Sequence, residues 1–186
     1  EKERARWCLL MTQAIDKTYR THTSDSLIRF AVNYYEKVND LSKLPTAFYT
    51  LGRVQRDLKD NEHAVNSFLK ALDLAKGSDD YKLQYLAASQ LGHVYAYSRF
   101  IDEALKTYQQ ALYFAEQDND SISLSYANSY LGRVYGLQKD WNRSIEFYQK
   151  AISIAQQTSY IPVLRLCLNE LAAIYKCCEK YQEAAD

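Results

Sequence analysis

The stretch Leu91-Gly92-His93-Val94-Tyr95 recurs along the chain at a fixed spacing. Forty residues earlier the chain reads Leu51-Gly52-Arg53-Val54-Gln55, and forty residues later it reads Leu131-Gly132-Arg133-Val134-Tyr135. A fourth copy at the same interval is Leu171-Ala172-Ala173-Ile174-Tyr175. Self-similarity at a constant period of this length is typical of repeat proteins, in which each unit packs against its neighbours.

A small residue follows each copy, and in three copies an aromatic residue lies four positions further on. These residues are Ala64 and Phe68, Ala104 and Tyr108, Ser144 and Tyr148, and Ala184. This spacing resembles the tetratricopeptide repeat (TPR), a helix–turn–helix unit. The resemblance implies an all-α fold, a right-handed superhelical array of helical hairpins known as an α-solenoid. The forty-residue period is similar to that of kinesin light chains, spindle-orientation adaptors and bacterial quorum-peptide receptors, which bind peptides or proteins.

Helical spacing of apolar residues, interrupted by polar and glycine-containing breaks, predicts one array over residues 1–186. The first repeat is degenerate, because Met11-Thr12 stands where later repeats have Leu-Gly. The fifth is truncated in its second helix, which opens at Lys180-Tyr181, and the chain begins without Met, so we expect a piece of a longer protein. The predicted repeats are about 3–40, 45–78, 80–118, 120–158 and 160–186.

The bulk composition excludes several classes of function. The 23 Lys and Arg residues balance 23 Asp and Glu residues, and no basic stripe is visible, which argues against nucleic-acid binding. No apolar run is long enough to span a membrane. The four cysteines lack zinc-site spacing, and we interpret them as buried or half-buried thiols. Composition alone suits a cytoplasmic protein and leaves the compartment unassigned.

The motif residues themselves are interpreted as structural. A mid-helix glycine costs about 1 kcal/mol relative to Ala. That cost is reasonable if a large side chain of the paired helix packs against the bare backbone at Gly52, Gly92 and Gly132. The aromatic residues at helical spacing are expected to fill the core between helices.

The TPR resemblance implies that the first helix of each hairpin, the A helix, lines a concave groove. The residue after each signature glycine, and the residues one turn before and after it, should project into that groove. The candidate peptide-binding residues are Tyr49, Arg53, Arg56, Ser89, His93, Tyr126, Ser129, Arg133, Asn169 and Lys176.

The ladder Arg53, His93 and Arg133 favours an acidic peptide or a free carboxyl terminus, because the planar guanidinium suits carboxylates. The alternative is that these cations are solvated or paired with acids such as Asp57 or Glu170. The resemblance to TPRs that clamp a terminal carboxylate is partial, since only Asn169 matches that pattern.

Catalytic motifs are missing from the sequence. The three histidines lie about forty residues apart without paired carboxylates, and no phosphate-binding loop, nucleophile elbow or metalloprotease motif occurs. We therefore expect no enzyme activity, no cofactor and no metal.

The segment from Arg6-Trp7-Cys8 to Leu27-Ile28 resembles the opening of a group of bacterial TPR proteins associated with the cell envelope. The resemblance implies a periplasm-facing protein and a sensing or docking role within a larger bacterial regulator. The leading hypothesis is a module that binds a protein or peptide. The alternative is an assembly scaffold, a homodimer in which array ends stack on another copy.

Overall fold

The computed structural model describes residues 1–18 and 20–177. These residues form nine α-helices and no strands. None of the nine combines the length and hydropathy that crossing a bilayer requires. The helices are α1 (Lys2–Lys17), α2 (Ser26–Lys37), α3 (Leu44–Asp57), α4 (Asn61–Ala75), α5 (Tyr81–Tyr97), α6 (Ile101–Asp118), α7 (Ser121–Leu137), α8 (Trp141–Gln157) and α9 (Ile161–Cys177).

The helix boundaries predicted from the sequence agree with these bounds to within about two residues. The common TPR has a period of about 34 residues, whereas the period here is about forty. The added residues lengthen the later helices: α5 and α7–α9 have 17 residues each and α6 has 18. The further helix predicted after Lys180-Tyr181 lies outside the described residues.

A short turn with a left-handed residue joins α3 to α4, and a similar turn joins α7 to α8. Lys59 has φ 66° and Lys139 has φ 62°, which reverses the chain without a glycine. The aspartate that follows each lysine caps the next helix: Asp60 accepts a hydrogen bond from the His63 amide, and Asp140 accepts one from the Arg143 amide.

The chain divides into two compact units, Glu1–Val94 and Tyr95–Asp186. In the first unit the hairpin of α3 and α4 packs beside α1 and α2. Its core joins residues of α1 to α5, including Cys8, Ile28, Phe48 and Val54, all nearly inaccessible to solvent. In the second unit Tyr108, Val134 and Tyr135 form one buried cluster.

Further along the second unit a separate cluster joins α8 to α9. Its buried members are Tyr148, Ala151, Ala155, Val163, Cys167, Leu171 and Ile174. The prediction that the aromatic stripe is core is confirmed for Phe68, Tyr108 and Tyr148, none of which is more than 1% exposed.

Two signature glycines lie directly under an aromatic ring of the paired helix. A Cβ added at Gly52 would lie 2.7 Å from Cδ1 and Cε1 of Phe68, and one added at Gly132 would lie 3.0 Å from the Tyr148 ring. Beside the second glycine, buried Ser144 replaces the usual alanine and donates a hydrogen bond of 2.6 Å to the Gly132 carbonyl. The structural interpretation of these glycines is confirmed.

We expect Gly52→Ala to lower the free energy of unfolding by about 1–3 kcal/mol, because the methyl group would displace the Phe68 ring from a packed core. The gain in helix propensity, about 1 kcal/mol, offsets only part of this loss. Gly136→Ala is the matched control in another helix: its Cβ would meet Ser144 Oγ at 3.3 Å and Ile174 at 4.0 Å. We expect that change to stay within about 0.5 kcal/mol. Urea unfolding followed by circular dichroism measures both, and equal midpoints for the two variants would contradict this account.

Candidate functional site

Five of the ten predicted groove residues lie in the first unit, on helices α3 and α5, and we call them the unit-one surface. They are Tyr49, Arg53 and Arg56 on α3, and Ser89 and His93 on α5. The Arg53 guanidinium is half-buried, and its Nη2 donates to Asp16 Oδ1 at 2.5 Å. This ion pair connects α3 to the last turn of α1.

Arg56, one turn later on α3, connects that helix to α5. Its Nη1 donates to the side-chain oxygen of Gln90, and its Nη2 lies 3.5 Å from Asp57 Oδ1. Both arginines of this surface are therefore held by side-chain partners and are not simply solvated. Their donors are fixed in position before any ligand arrives.

Tyr49 lies beneath Arg53 with most of its ring covered. Burial raises the pKa of its hydroxyl, and the positive charge of the adjacent Arg53 guanidinium opposes that rise. His93 is half-buried. Ser89 is buried, and its hydroxyl has no hydrogen-bond partner among the described residues.

The other five predicted residues form the unit-two surface, on helices α7 and α9. They are Tyr126, Ser129 and Arg133 on α7, and Asn169 and Lys176 on α9. Arg133 Nη2 lies 3.7 Å from Glu170 Oε1, and both side chains are 39% exposed. Burial and the Glu170 carboxylate raise the pKa of the nearby Tyr148 hydroxyl, and the positive charge of Arg133 opposes that rise.

Tyr126 belongs to a group of stacked rings. It lies parallel to Tyr130 at a centroid distance of 5.9 Å and meets Tyr160 edge-on at 6.0 Å. Asn169 and Lys176 are exposed on α9. Ser129, in contrast, is buried and donates to the Tyr126 carbonyl one turn earlier at 2.7 Å.

The two predicted serines therefore do not offer hydroxyls to solvent. Ser89 is 3% exposed and Ser129 is 2% exposed, because this position of the A helix faces the neighbouring helices as well as the predicted groove. We leave both out of the proposed contact surface. The remaining eight residues are half-buried or exposed.

The sequence also left open that the arginines pair with acidic residues of this chain, and the structure shows such pairs. Arg133 meets Glu170 and Arg56 meets Asp57, as that alternative proposed, but the Asp16 partner of Arg53 was missed. The forty-residue period is the sequence signal that could have identified this partner. Gln13 lies forty residues before Arg53, and Asp16 follows Gln13 by three residues on the same helical face.

Nucleophilic chemistry finds little support in the described residues. Burial raises the pKa of the Cys167 thiol to about 12, with the Glu170 carboxylate acting in the same direction. Cys8 is also buried, whereas Cys177 is exposed. Among the described residues, the one group that brings three metal-ligating side chains together is Asp16, His22 and Asp57.

Family models place the repeats on the sequence independently of the coordinates. A model described as "Tetratricopeptide repeat" matches residues 84–157, and a second with the same description matches residues 45–77. No curated protein sequence matches the chain.

Solved structures of repeat proteins superpose on the chain. A putative kinesin light chain with TPR-like repeats from Podosopora anserina aligns at a TM-score of 0.80 and 16% identity, covering 100% of this chain and 92% of that one. The apo form of RapI aligns at 0.85 and 14%, covering 98% of this chain and 51% of that chain.

A third structure is the signal transduction ATPase with numerous domains (STAND) protein PH0952 from Pyrococcus horikoshii, which has a tetratricopeptide repeat sensor. It aligns at a TM-score of 0.83 and 16% identity, covering 97% of this chain and 29% of that one. Identities this low establish the fold alone. They confirm the all-α helical-repeat class predicted from the sequence.

We expect iodoacetamide to modify Cys177 within minutes while leaving Cys8 and Cys167 intact in the folded protein. Burial blocks access to both Cys8 and Cys167, and in Cys167 it also raises the pKa and so disfavours the reactive thiolate. Peptide mass spectrometry before and after urea unfolding measures this directly. Rapid modification of Cys167 in the folded state would contradict its placement between α8 and α9.

Proposed function

Because the chain is a tetratricopeptide repeat protein, we propose that it binds a peptide or a segment of another protein through the A-helix surfaces of its two units. TPRs generally mediate protein–protein interaction. The observation that carries the proposal is the same arrangement in both units: a half-buried arginine, Arg53 or Arg133, pairs with one carboxylate and lies beside a tyrosine whose hydroxyl pKa is raised by burial.

Such an arrangement suits recognition because its donors are already ordered. A guanidinium carries five N–H donors, and the described ion pairs occupy only part of that capacity. Fixing the side chain in the free protein lowers the conformational entropy that a ligand must remove on binding. The remaining donors can meet carbonyl or carboxylate oxygens of an extended or helical peptide.

We also propose that the ligand is acidic, although both arginines are already paired with carboxylates in the free protein. Asp16 and Glu170 already balance the charge of Arg53 and Arg133, so an incoming carboxylate must share a guanidinium or displace its partner. Lys176 is exposed on the unit-two surface and adds a positive charge. We propose that α9 contributes most to any acidic preference.

We further propose that the module has no catalytic activity and that it senses or docks a partner within a larger bacterial regulatory protein. The TPR part of PH0952 is described as a sensor, which is a role of the same kind in another protein. The N-terminal sequence resemblance to envelope-associated bacterial TPR proteins points in the same direction.

A phage-displayed random peptide library, selected on the whole protein, tests peptide binding without a known ligand. We expect the double variant Arg53→Gln, Arg133→Gln to bind the selected synthetic peptides at least tenfold more weakly, about 1.4 kcal/mol at 25 °C, because both ordered donor groups are lost. Fluorescence polarisation gives the dissociation constants.

The matched control is Arg29→Gln, Arg143→Gln, which removes two surface arginines paired with aspartates on the B helices α2 and α8. Its peptide affinity should equal that of the unsubstituted protein. Equal weakening in both double variants, or failure to select any peptide, would refute the assignment of the surfaces.

A specific observation also favours the second candidate function, assembly through an end of the array. On α1, Trp7 and Met11 are 53% and 39% exposed, whereas the residues forty positions later, Ala47 and Leu51, are 0% and 5% exposed. In the later hairpins, helices of the same type cover this face. The occupant that fits is therefore another hairpin of this kind, supplied by a second copy of the chain.

We expect sedimentation velocity to show a concentration-dependent dimer that Trp7→Arg, Met11→Arg abolishes, because two charges would be buried in an apolar contact. The control, Leu69→Arg, Tyr113→Arg, places the same charges at exposed apolar positions of α4 and α6. A monomer at every concentration, or dimers in both variants, would exclude assembly through α1.

A further inference from the structure

Asp16, His22 and Asp57 converge in the first unit from three different segments. Asp16 lies in the last turn of α1, His22 in the connection to α2, and Asp57 at the end of α3. One ligand atom from each residue lies within 4.8 Å of the other two. We propose that these three side chains bind a divalent transition-metal cation of the zinc class.

His22 is the observation that points to a ligand. Its side chain comes from a connecting segment, yet the residue is only 5% exposed. Its Nε2 is buried and has no hydrogen-bond partner among the described residues. A buried polar atom without a partner destabilises the folded chain, and a metal ion bound to the imidazole ring would recover that loss.

Both carboxylates keep an oxygen available for a cation. Asp16 and Asp57 each use Oδ1 toward a guanidinium, of Arg53 and Arg56 respectively. Within the described part of the chain, the second oxygen of each aspartate makes no hydrogen bond. Two carboxylate oxygens and one imidazole nitrogen form a donor set that suits zinc and its first-row neighbours, with water completing the coordination.

The backbone around the cluster favours positive charge as well. Asp16 and Asp57 both stand in the last turn of their helices, close to the negative end of the helix dipole. A carboxylate at that end is destabilised unless a cation accompanies it. The two arginines supply part of this compensation in the free protein.

The cluster borders a cavity of about 160 Å³ that is open to solvent. Its lining consists of Asp16, Arg20, Thr21, Arg53 and Asp57. Two of the three proposed ligands therefore face this solvent-open cavity, whereas His22 is not part of its lining. The hydroxyl of Thr21 and water molecules are available as further oxygen ligands.

Arg53 limits the affinity, because its guanidinium is bonded to Asp16 and would stand beside the bound ion. This repulsion yields a prediction specific to a metal site: Arg53→Gln should tighten metal binding several-fold. A purely structural role of the cluster would not produce that gain.

The experiment titrates Zn²⁺ alone into the whole protein, with accessible thiols blocked by iodoacetamide so that Cys177 cannot bind the ion. Isothermal titration calorimetry should show one saturable ion per chain, with much weaker binding of Mg²⁺ and Ca²⁺. His22→Gln and Asp57→Asn should each weaken Zn²⁺ binding at least tenfold.

His63→Gln is the matched control, since exposed His63 also lies beside an aspartate, with Nδ1 2.8 Å from Asp60 Oδ1. That variant should bind Zn²⁺ as the unsubstituted protein does. If circular dichroism shows that His22→Gln is unfolded, two other measurements test the site: Zn²⁺ binding by Asp57→Asn, and the visible absorption of Co²⁺ bound to the unsubstituted protein. Loss of binding in His63→Gln, no saturable binding, or no Co²⁺ absorption would overturn the site.

Discussion

The structure depends on one close contact, repeated in each unit: an aromatic ring of a B helix against the bare backbone of an A helix. Phe68 over Gly52 and Tyr148 over Gly132 leave no room for a methyl group. The ring fills the gap that opens where two helices approach, and the small residue four positions before the ring lets the backbones approach closely. This contact sets the register of each hairpin, which decides which A-helix residues face outward.

The fold could be predicted from the sequence because local signals and the period agree. The aspartates at 60 and 140 cap helices where the polar breaks indicated helix starts, and the glycine and aromatic positions predicted the buried contact. The same register assigned too many residues to the outward face of the A helices. Residues 89 and 129 lie at its edge and pack against neighbouring helices, a distinction of a few tens of degrees that periodicity does not resolve.

The candidate site was less predictable, because ion pairs depend on which side chains neighbouring helices bring together. The partners of Arg56 and Arg133 were among the acids considered, but Asp16 belongs to the degenerate first repeat, where the Leu-Gly motif is absent and only the forty-residue period gives the register. His22 lies in the connection between the two helices of that repeat, without a periodic counterpart. Its burial results from the packing of the surrounding helix ends and is not encoded in any local pattern.

These exceptions have a common physical origin. A repeat that keeps the motif must place small and aromatic residues at fixed positions. Its sequence can therefore vary freely only on the outward face. The first repeat has lost the Leu-Gly pair: Thr12 stands at the glycine position and donates to the Cys8 carbonyl at 2.8 Å. Relieved of that constraint, α1 and its connection can carry Asp16 and His22 beside Arg53. The least regular repeat is therefore the part of this chain in which specific polar chemistry can arise at the smallest cost in packing.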